Sequence, residues 1–201
     1  DEYAAIIPKN VSGPFLSQID AFNCLMEWVK KNEDVELVVR VHPHLKDKSK
    51  AERLRWTFDD LPKNVLVLAP SDMTDSYALL DSADAVISYG SAIGLEACFW
   101  NTPSILIGPS NYRGLRAVEE PASVEEFYNL LNKVRNQETI SFRRENCFPY
   151  GYYFATFGKD HKYYKPLSLS EGAFCGFELN VIPKWMKKIK ITLDFLREKL
   201  L

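Results

Sequence analysis

The sequence predicts an α/β fold with a doubly wound parallel sheet, and three observations carry that prediction. Short runs of β-branched, apolar residues alternate with longer stretches whose apolar residues recur at helical spacing. The runs are apolar at nearly every position, as strands covered on both faces must be. The stretch Ser88-Tyr89-Gly90-Ser91-Ala92-Ile93-Gly94-Leu95-Glu96-Ala97 reads as the end of a strand, a turn of small residues and the opening of a helix.

Composition sets the outer bounds. At 201 residues the chain can form one domain with a proper core, or a compact domain with an appendage. With 46% hydrophobic and 26% charged residues it is globular rather than disordered. A formal net charge of -2 gives no general attraction for nucleic acid, so any anion site must be local. Cys24, Cys98, Cys147 and Cys175 form no Cys-x-x-Cys pair, which predicts reduced, mostly buried thiols in a cytoplasmic protein. No apolar run is long enough to span a bilayer and no signal peptide is evident. The first residue is Asp1, so the chain is expected to be a piece of something longer.

Residues 1–14 hold a short apolar patch ended by Pro8, Gly13 and Pro14, which mark loop. Ile19, Phe22, Leu25, Met26 and Val29 give residues 16–31 one apolar helical face. Residues 35–41 form the first buried strand, stopped by Pro43, and the charged stretch 46–60 is expected to be a short surface helix. A second strand at 65–68 ends at Pro70, a helix follows at 74–82, and a third strand spans 85–88. Helix 92–100 and a fourth strand at 104–107 complete the alternation. Ser123-Val124-Glu125-Glu126 is a capping box that starts a helix running to about Arg135.

The rhythm is lost past Asn136, so residues 1–136 are expected to form the nucleotide-binding domain and 137–201 a tail. Aromatics crowd residues 148–164 as an irregular segment suited to packing on the domain, or to stacking on a base or sugar. Residues 182–201 form an amphipathic helix with Ile182, Trp185, Met186, Ile189, Leu193, Leu196 and Leu200 on one stripe and six basic residues opposite. Docking on its own protein, or on a partner half, is favoured over lying on an anionic membrane surface.

Ligands in parallel α/β sheets bind beyond the carboxyl ends of the strands, and four loops end there. The turn at Gly90 and Ser91 offers unpartnered helix-opening N–H groups to a phosphate, or serves only as a tight packing turn; Ser88 precedes it and is expected to touch the donor, and Glu96 falls within reach of a ribose hydroxyl. In an extended chain Arg40, His42 and His44 project to one side, placing a cation and two imidazoles toward a bound phosphate. The competing readings are half of a metal site or a structural histidine, and His161 is the only other histidine in the sequence. Ser71 and Tyr77 bracket a loop whose Ser, Thr and Asp residues suit a base or simply cap a helix. Residues 108–114 follow the fourth strand, as a turn or as a loop that closes over ligand.

Taken together, Arg-Val-His-Pro-His at 40–44, Asp-Ser-Tyr-Ala-Leu-Leu at 75–80, Gly-Ser-Ala-Ile-Gly-Leu-Glu-Ala at 90–97 and Asn-Thr-Pro-Ser-Ile-Leu-Ile-Gly-Pro-Ser at 101–110 resemble the donor-binding half of GT-B glycosyltransferases of bacterial capsule and lipopolysaccharide assembly. The His-Pro pair is similar to that of sialyl-, polysialyl- and Kdo transferases. The resemblance covers residues 1–135 and implies a Rossmann-like half of a GT-B fold that takes a nucleotide-sugar. It further implies that His42 holds the donor phosphate, that Gly90 and Ser91 support it, and that Glu96 holds the ribose. A CMP-linked sugar is favoured over a UDP-linked one. No cofactor or metal is expected, because backbone dipoles and cationic side chains supply the compensating charge. The expected partners are a glycan or glycolipid acceptor and an amino-terminal half-domain or partner chain, with no nucleic acid. UDP-N-acetylglucosamine 2-epimerases share the architecture, and a non-catalytic nucleotide-binding module is the alternative from another class. The expected location is the cytoplasm, at or near the inner membrane face.

Overall fold

A computed structural model of the chain describes residues 13–48, 50–54, 56, 58, 60–158, 162–168 and 171–180. The chain divides into two compact units, Asp1–Ala155 and Thr156–Leu201. The first runs α1 (Gln18–Lys31), β1 (Leu37–Arg40), a 3-10 turn (Pro43–Asp47), α2 (Lys50–Leu54), β2 (Val65–Leu68), α3 (Ser76–Ser82), β3 (Val86–Ser88), α4 (Ile93–Phe99), β4 (Ser104–Leu106), α5 (Val124–Arg135), a second 3-10 turn (Arg144–Cys147) and α6 (Phe148–Thr156). It is a mixed α/β structure with parallel strand pairs.

The helix starts follow from local chemistry. Ser17 opens α1 by accepting from the Asp20 N–H, and Asp75 opens α3 by accepting from the Tyr77 N–H. Ser123 accepts from the Glu126 N–H at 3.1 Å, while the Glu126 carboxylate reaches back to the Ala122 N–H at 2.7 Å. That return bond lands one residue earlier than a strict capping box places it. Where residues 46–60 were expected to form one short helix, only the 3-10 turn and the five residues of α2 are helical among the described residues.

The strands pair as β1 with β2 and β3 with β4, both parallel, and no strand pairing joins the two pairs among the described residues. One core nevertheless serves both. Ile105 and Ile107 pack with Ala21, Leu25 and Val29 of α1 and with Phe127, Leu130 and Leu131 of α5, while Leu37, Val65 and Ile87 lie against the same cluster. Alternation then sends Leu106 to the opposite face, where it meets Leu95 and Cys98 of α4, with Tyr112, Val118 and Cys147. The outer edge of β4 is closed by Glu119, whose carbonyl accepts from the Leu106 N–H at 2.8 Å.

Two expectations need correcting in this unit. Strands 35–41 and 65–68 were read as buried on both faces, yet the cross-strand neighbours Val38 and Leu66 are 43% and 56% exposed. The expected domain limit at residue 136 also falls inside the unit. Ile140 belongs to the first core and Cys147 to the second. The segment between has no periodicity of its own; backbone bonds tie it down, including Arg143 N–H to the Ala117 carbonyl at 2.9 Å.

In the second unit β5 (Tyr164–Ser168), β6 (Glu171–Phe174) and β7 (Phe177–Asn180) form an antiparallel sheet in chain order. Cys175 and Gly176, at φ 51° and 83°, make the two-residue turn between β6 and β7. The irregular aromatic segment expected at 148–164 is therefore replaced by helix α6 and the start of a strand. Tyr150 packs against the second core and Phe148 stands edge-on to Phe99, as packing on the domain requires, while Tyr152, Tyr153 and Phe154 are exposed on the helix. His161, the patch at 3–7 and the amphipathic stretch 182–201 lie outside the described residues. No described helix is long and apolar enough to cross a membrane.

Candidate functional site at the strand ends

The carboxyl end of β1 delivers Arg40, but its guanidinium is engaged by the protein. Nη1 donates to the Ala69 carbonyl at 3.1 Å and Nη2 to the Asp72 carbonyl at 2.9 Å. The buried Nε has no partner among the described residues. Arg40, expected to face a phosphate, instead braces the loop that follows β2. His42 is exposed, and its carbonyl accepts from the Leu45 N–H at 2.9 Å as the chain turns at Pro43. His44 sits in that 3-10 turn, and its side chain lies outside the described residues.

In the braced loop Ser71 is exposed, and Asp72 accepts from the Thr74 N–H at 2.8 Å and from the Thr74 hydroxyl at 2.6 Å. Those two bonds, with the Arg40 charge nearby, hold the Asp72 carboxyl below its usual range. Thr74 and Asp75 act here as turn and cap. Tyr77, by contrast, reaches out of α3 and donates its hydroxyl to Glu96 on α4 at 2.8 Å. The carboxylate pushes the phenol's pKa up. Two residues picked from separate loops thus meet at one edge.

The turn after β3 is fixed from beneath. Gly90 has φ 97° and its α-carbon lies so close to the Pro109 carbonyl that no side chain fits. Gly94 is also confined, because an added Cβ would fall 2.7 Å from both the Ser88 Cβ and the Tyr112 hydroxyl. Ser88, expected to touch donor, is 2% exposed and donates to the Ser91 carbonyl at 2.9 Å. It lines the inside of the turn. Ser91 and Ala92 are exposed, and their N–H groups meet no acceptor among the described residues.

Tyr112 was not singled out from the sequence, where residues 108–114 read as a Gly-Pro turn. It is 1% exposed and donates to the Ser91 carbonyl at 2.8 Å. Burial pushes its phenol up to about 12, partly offset by contact with the Ser88 and Ser110 hydroxyls. No local signal marks it, since its partner lies 21 residues away.

This edge is open. The two described cavities lie elsewhere, one of about 500 Å³ between Phe22, Met26, Phe58 and Pro62, the other of about 320 Å³ within the second unit beside Lys162, Tyr163 and Lys165. Among the described residues no cluster of three or more His, Cys, Asp or Glu side chains comes together. Amide N–H groups at exposed positions can donate to an anionic group, and a phenol–carboxylate pair can bind hydroxyls. Comparison of the chain with protein families, with curated proteins and with solved structures finds no match.

Proposed function

We propose that this chain is the donor-binding part of a GT-B glycosyltransferase. It would move a sugar from a nucleotide-sugar, CMP-linked in preference to UDP-linked, to a growing surface polysaccharide at the inner face of the membrane. The observation that carries the reading is the 2.8 Å bond from Tyr77 to Glu96, on the helix that opens just after the exposed Ser91 and Ala92, whose N–H groups meet no acceptor among the described residues. The two parallel pairs are read as flanks of one doubly wound, Rossmann-like sheet, a reading supported by the single core that Ile105, Leu37 and Val65 share.

In this reading Ser91 and Ala92 hold the donor phosphate and the Glu96 carboxylate accepts from ribose hydroxyls. When the bond between the sugar carbon and the phosphate oxygen breaks, the electron pair goes to the phosphate, and His42 stabilises it by donating a hydrogen bond. Arg40 and Ser88 contribute by holding loops. The acceptor and the base that takes its proton come from an amino-terminal half-domain or a partner chain.

Calorimetric titration of the chain with CMP and UDP tests this. Saturable binding of CMP, weakened at least tenfold in His42→Ala, is expected; binding of neither nucleotide removes the proposal. Turnover of a nucleotide-sugar without any acceptor would point to an epimerase instead.

A further inference from the structure

Two strand edges are left unpaired among the described residues, one on β1 and one on β3. The Leu37 and Val41 N–H groups donate toward β2, to the Asn64 and Leu68 carbonyls, so the N–H and C=O of Val38 and Arg40 point to the other edge of β1. In the second pair the Val86 N–H donates to the Pro103 carbonyl and the Ser88 carbonyl accepts from the Ile107 N–H, so the N–H and C=O of Ile87 point away from β4. Helix α1 shows that these two edges face each other. Its Trp28 side chain donates to Asn132 of α5 at 3.0 Å, and its Ala21, Leu25 and Val29 meet Ile105 and Ile107. Further round the helix, Phe22 stacks on Phe58 with centroids 4.4 Å apart, and Met26 lines the same groove with Pro62, just before β2. The strand remote from α5 is therefore β2, and β1 turns its free edge toward β3. The two are not in ladder contact, yet Leu37 and Ile87 lie against one core.

We infer that the space between β1 and β3 is a slot for one further parallel strand, and that residues 3–7 of this chain, Tyr3-Ala4-Ala5-Ile6-Ile7, are its occupant. The path of the chain favours them. Gly13 lies against the Ile107 carbonyl just past the end of β4, where an added Cβ would come within 2.6 Å, and Phe15 stands in the core edge-on to Phe127. The chain thus enters α1 at the carboxyl ends of the strands, and α1 leads back to the start of β1. A strand in the slot followed by α1 and β1 makes the ordinary strand–helix–strand unit of a parallel sheet. The link from Ile7 to Gly13 can span up to about 20 Å, enough to make that connection. The run is uncharged, as a strand covered on both faces needs, and it is the longest such run outside the described residues. With strands spaced about 4.8 Å apart, the occupant sets β1 and β3 about 10 Å from each other, and with them His42 and the turn at Gly90. The inference concerns the sheet and stands apart from the nucleotide reading.

NMR of the full chain tests this without any ligand. Cross-strand contacts are expected from residues 3–7 to Val38 and Arg40 on one side and to Ile87 on the other, with slow amide exchange at Val38, Arg40 and Ile87. Ala5→Pro removes a donor from the middle of the run and should speed exchange at those amides roughly tenfold, whereas Asp1→Pro should leave it unchanged. Contacts to neither edge, with fast exchange at Val38, Arg40 and Ile87, overturn the inference. Contacts that appear only between differently labelled chains overturn residues 3–7 as the occupant within their own chain, since a second copy then fills the slot. If Ala5→Pro does not fold, the wild-type contacts decide.

Discussion

The two parallel strand pairs are built from the same kind of residue and finished differently. In β3–β4 the alternating side chains have helices on both sides: Ile105 faces α1 and α5, and Leu106 faces α4. In β1–β2 one face joins the shared core through Leu37 and Val65, whereas Val38 and Leu66 face outward and remain about half exposed. The parts of the proposed site divide the same way. The fully covered pair ends in a turn pinned by Gly90, Gly94, Ser88 and Tyr112, and the half-covered pair ends in His42 and a loop held by one arginine. In the proposed site, the pair buried on both faces would supply the pinned turn, and the thinner pair would carry the exposed side chain.

The sharpest test of that difference is a matched pair of truncations. Leu106→Ala leaves a cavity in a fully buried site and should cost about 3 kcal/mol in urea denaturation. Leu66→Ala, on the uncovered face, should stay within about 0.5 kcal/mol. Equal losses would mean that the two pairs are packed alike. Gly90→Ala comes next: it forces a side chain into left-handed backbone and against the Pro109 carbonyl, for an expected loss of about 2 kcal/mol with weaker nucleotide binding.

A pH experiment separates the two sides again. The Tyr112 phenol is raised from its ordinary value of 10.0 to about 12, so the fold favours its neutral form. That contribution is complete below pH 10 and lost as pH rises through about 12, amounting to about 3 kcal/mol. The alkaline loss of stability should therefore be smaller in Tyr112→Phe. Arg40→Ala removes two charge-assisted bonds to the β2 loop and should cost about 1 kcal/mol, with faster amide exchange confined to residues 69–74. The smallest effect is chemical. Cys98 and Cys147 are buried beside Leu106, and burial raises both thiols, Cys147 to about 12. Both should resist alkylation in the folded chain, while exposed Cys175 reacts at once.

Much of the first unit was legible because its signals are local. The run Val65-Leu66-Val67-Leu68 is a strand over its full length, and Ser123 caps the helix its spacing announces. Which faces are covered was not legible: an apolar run reads the same whether one helix layer or two pack on it, so Val38 and Leu66 were misassigned. Arg40 was read by alternation along an extended strand, but a long side chain can turn to a carbonyl on the neighbouring strand's loop, as its bonds to Ala69 and Asp72 do. Tyr112 could not be placed because its meaning lies in a contact across the turn. The hairpin joining β6 and β7 escaped because Cys175 occupies a left-handed position that Asn or Gly would have advertised.

The central claim is that an anionic nucleotide binds at the carboxyl ends of the strands. Amide NMR of the full chain titrated with CMP tests it most directly. The account predicts saturable shifts concentrated at His42, Gly90, Ser91, Ala92 and Glu96, abolished or strongly weakened in His42→Ala. Shifts confined to the Phe22–Phe58 groove, or none at all, would contradict it.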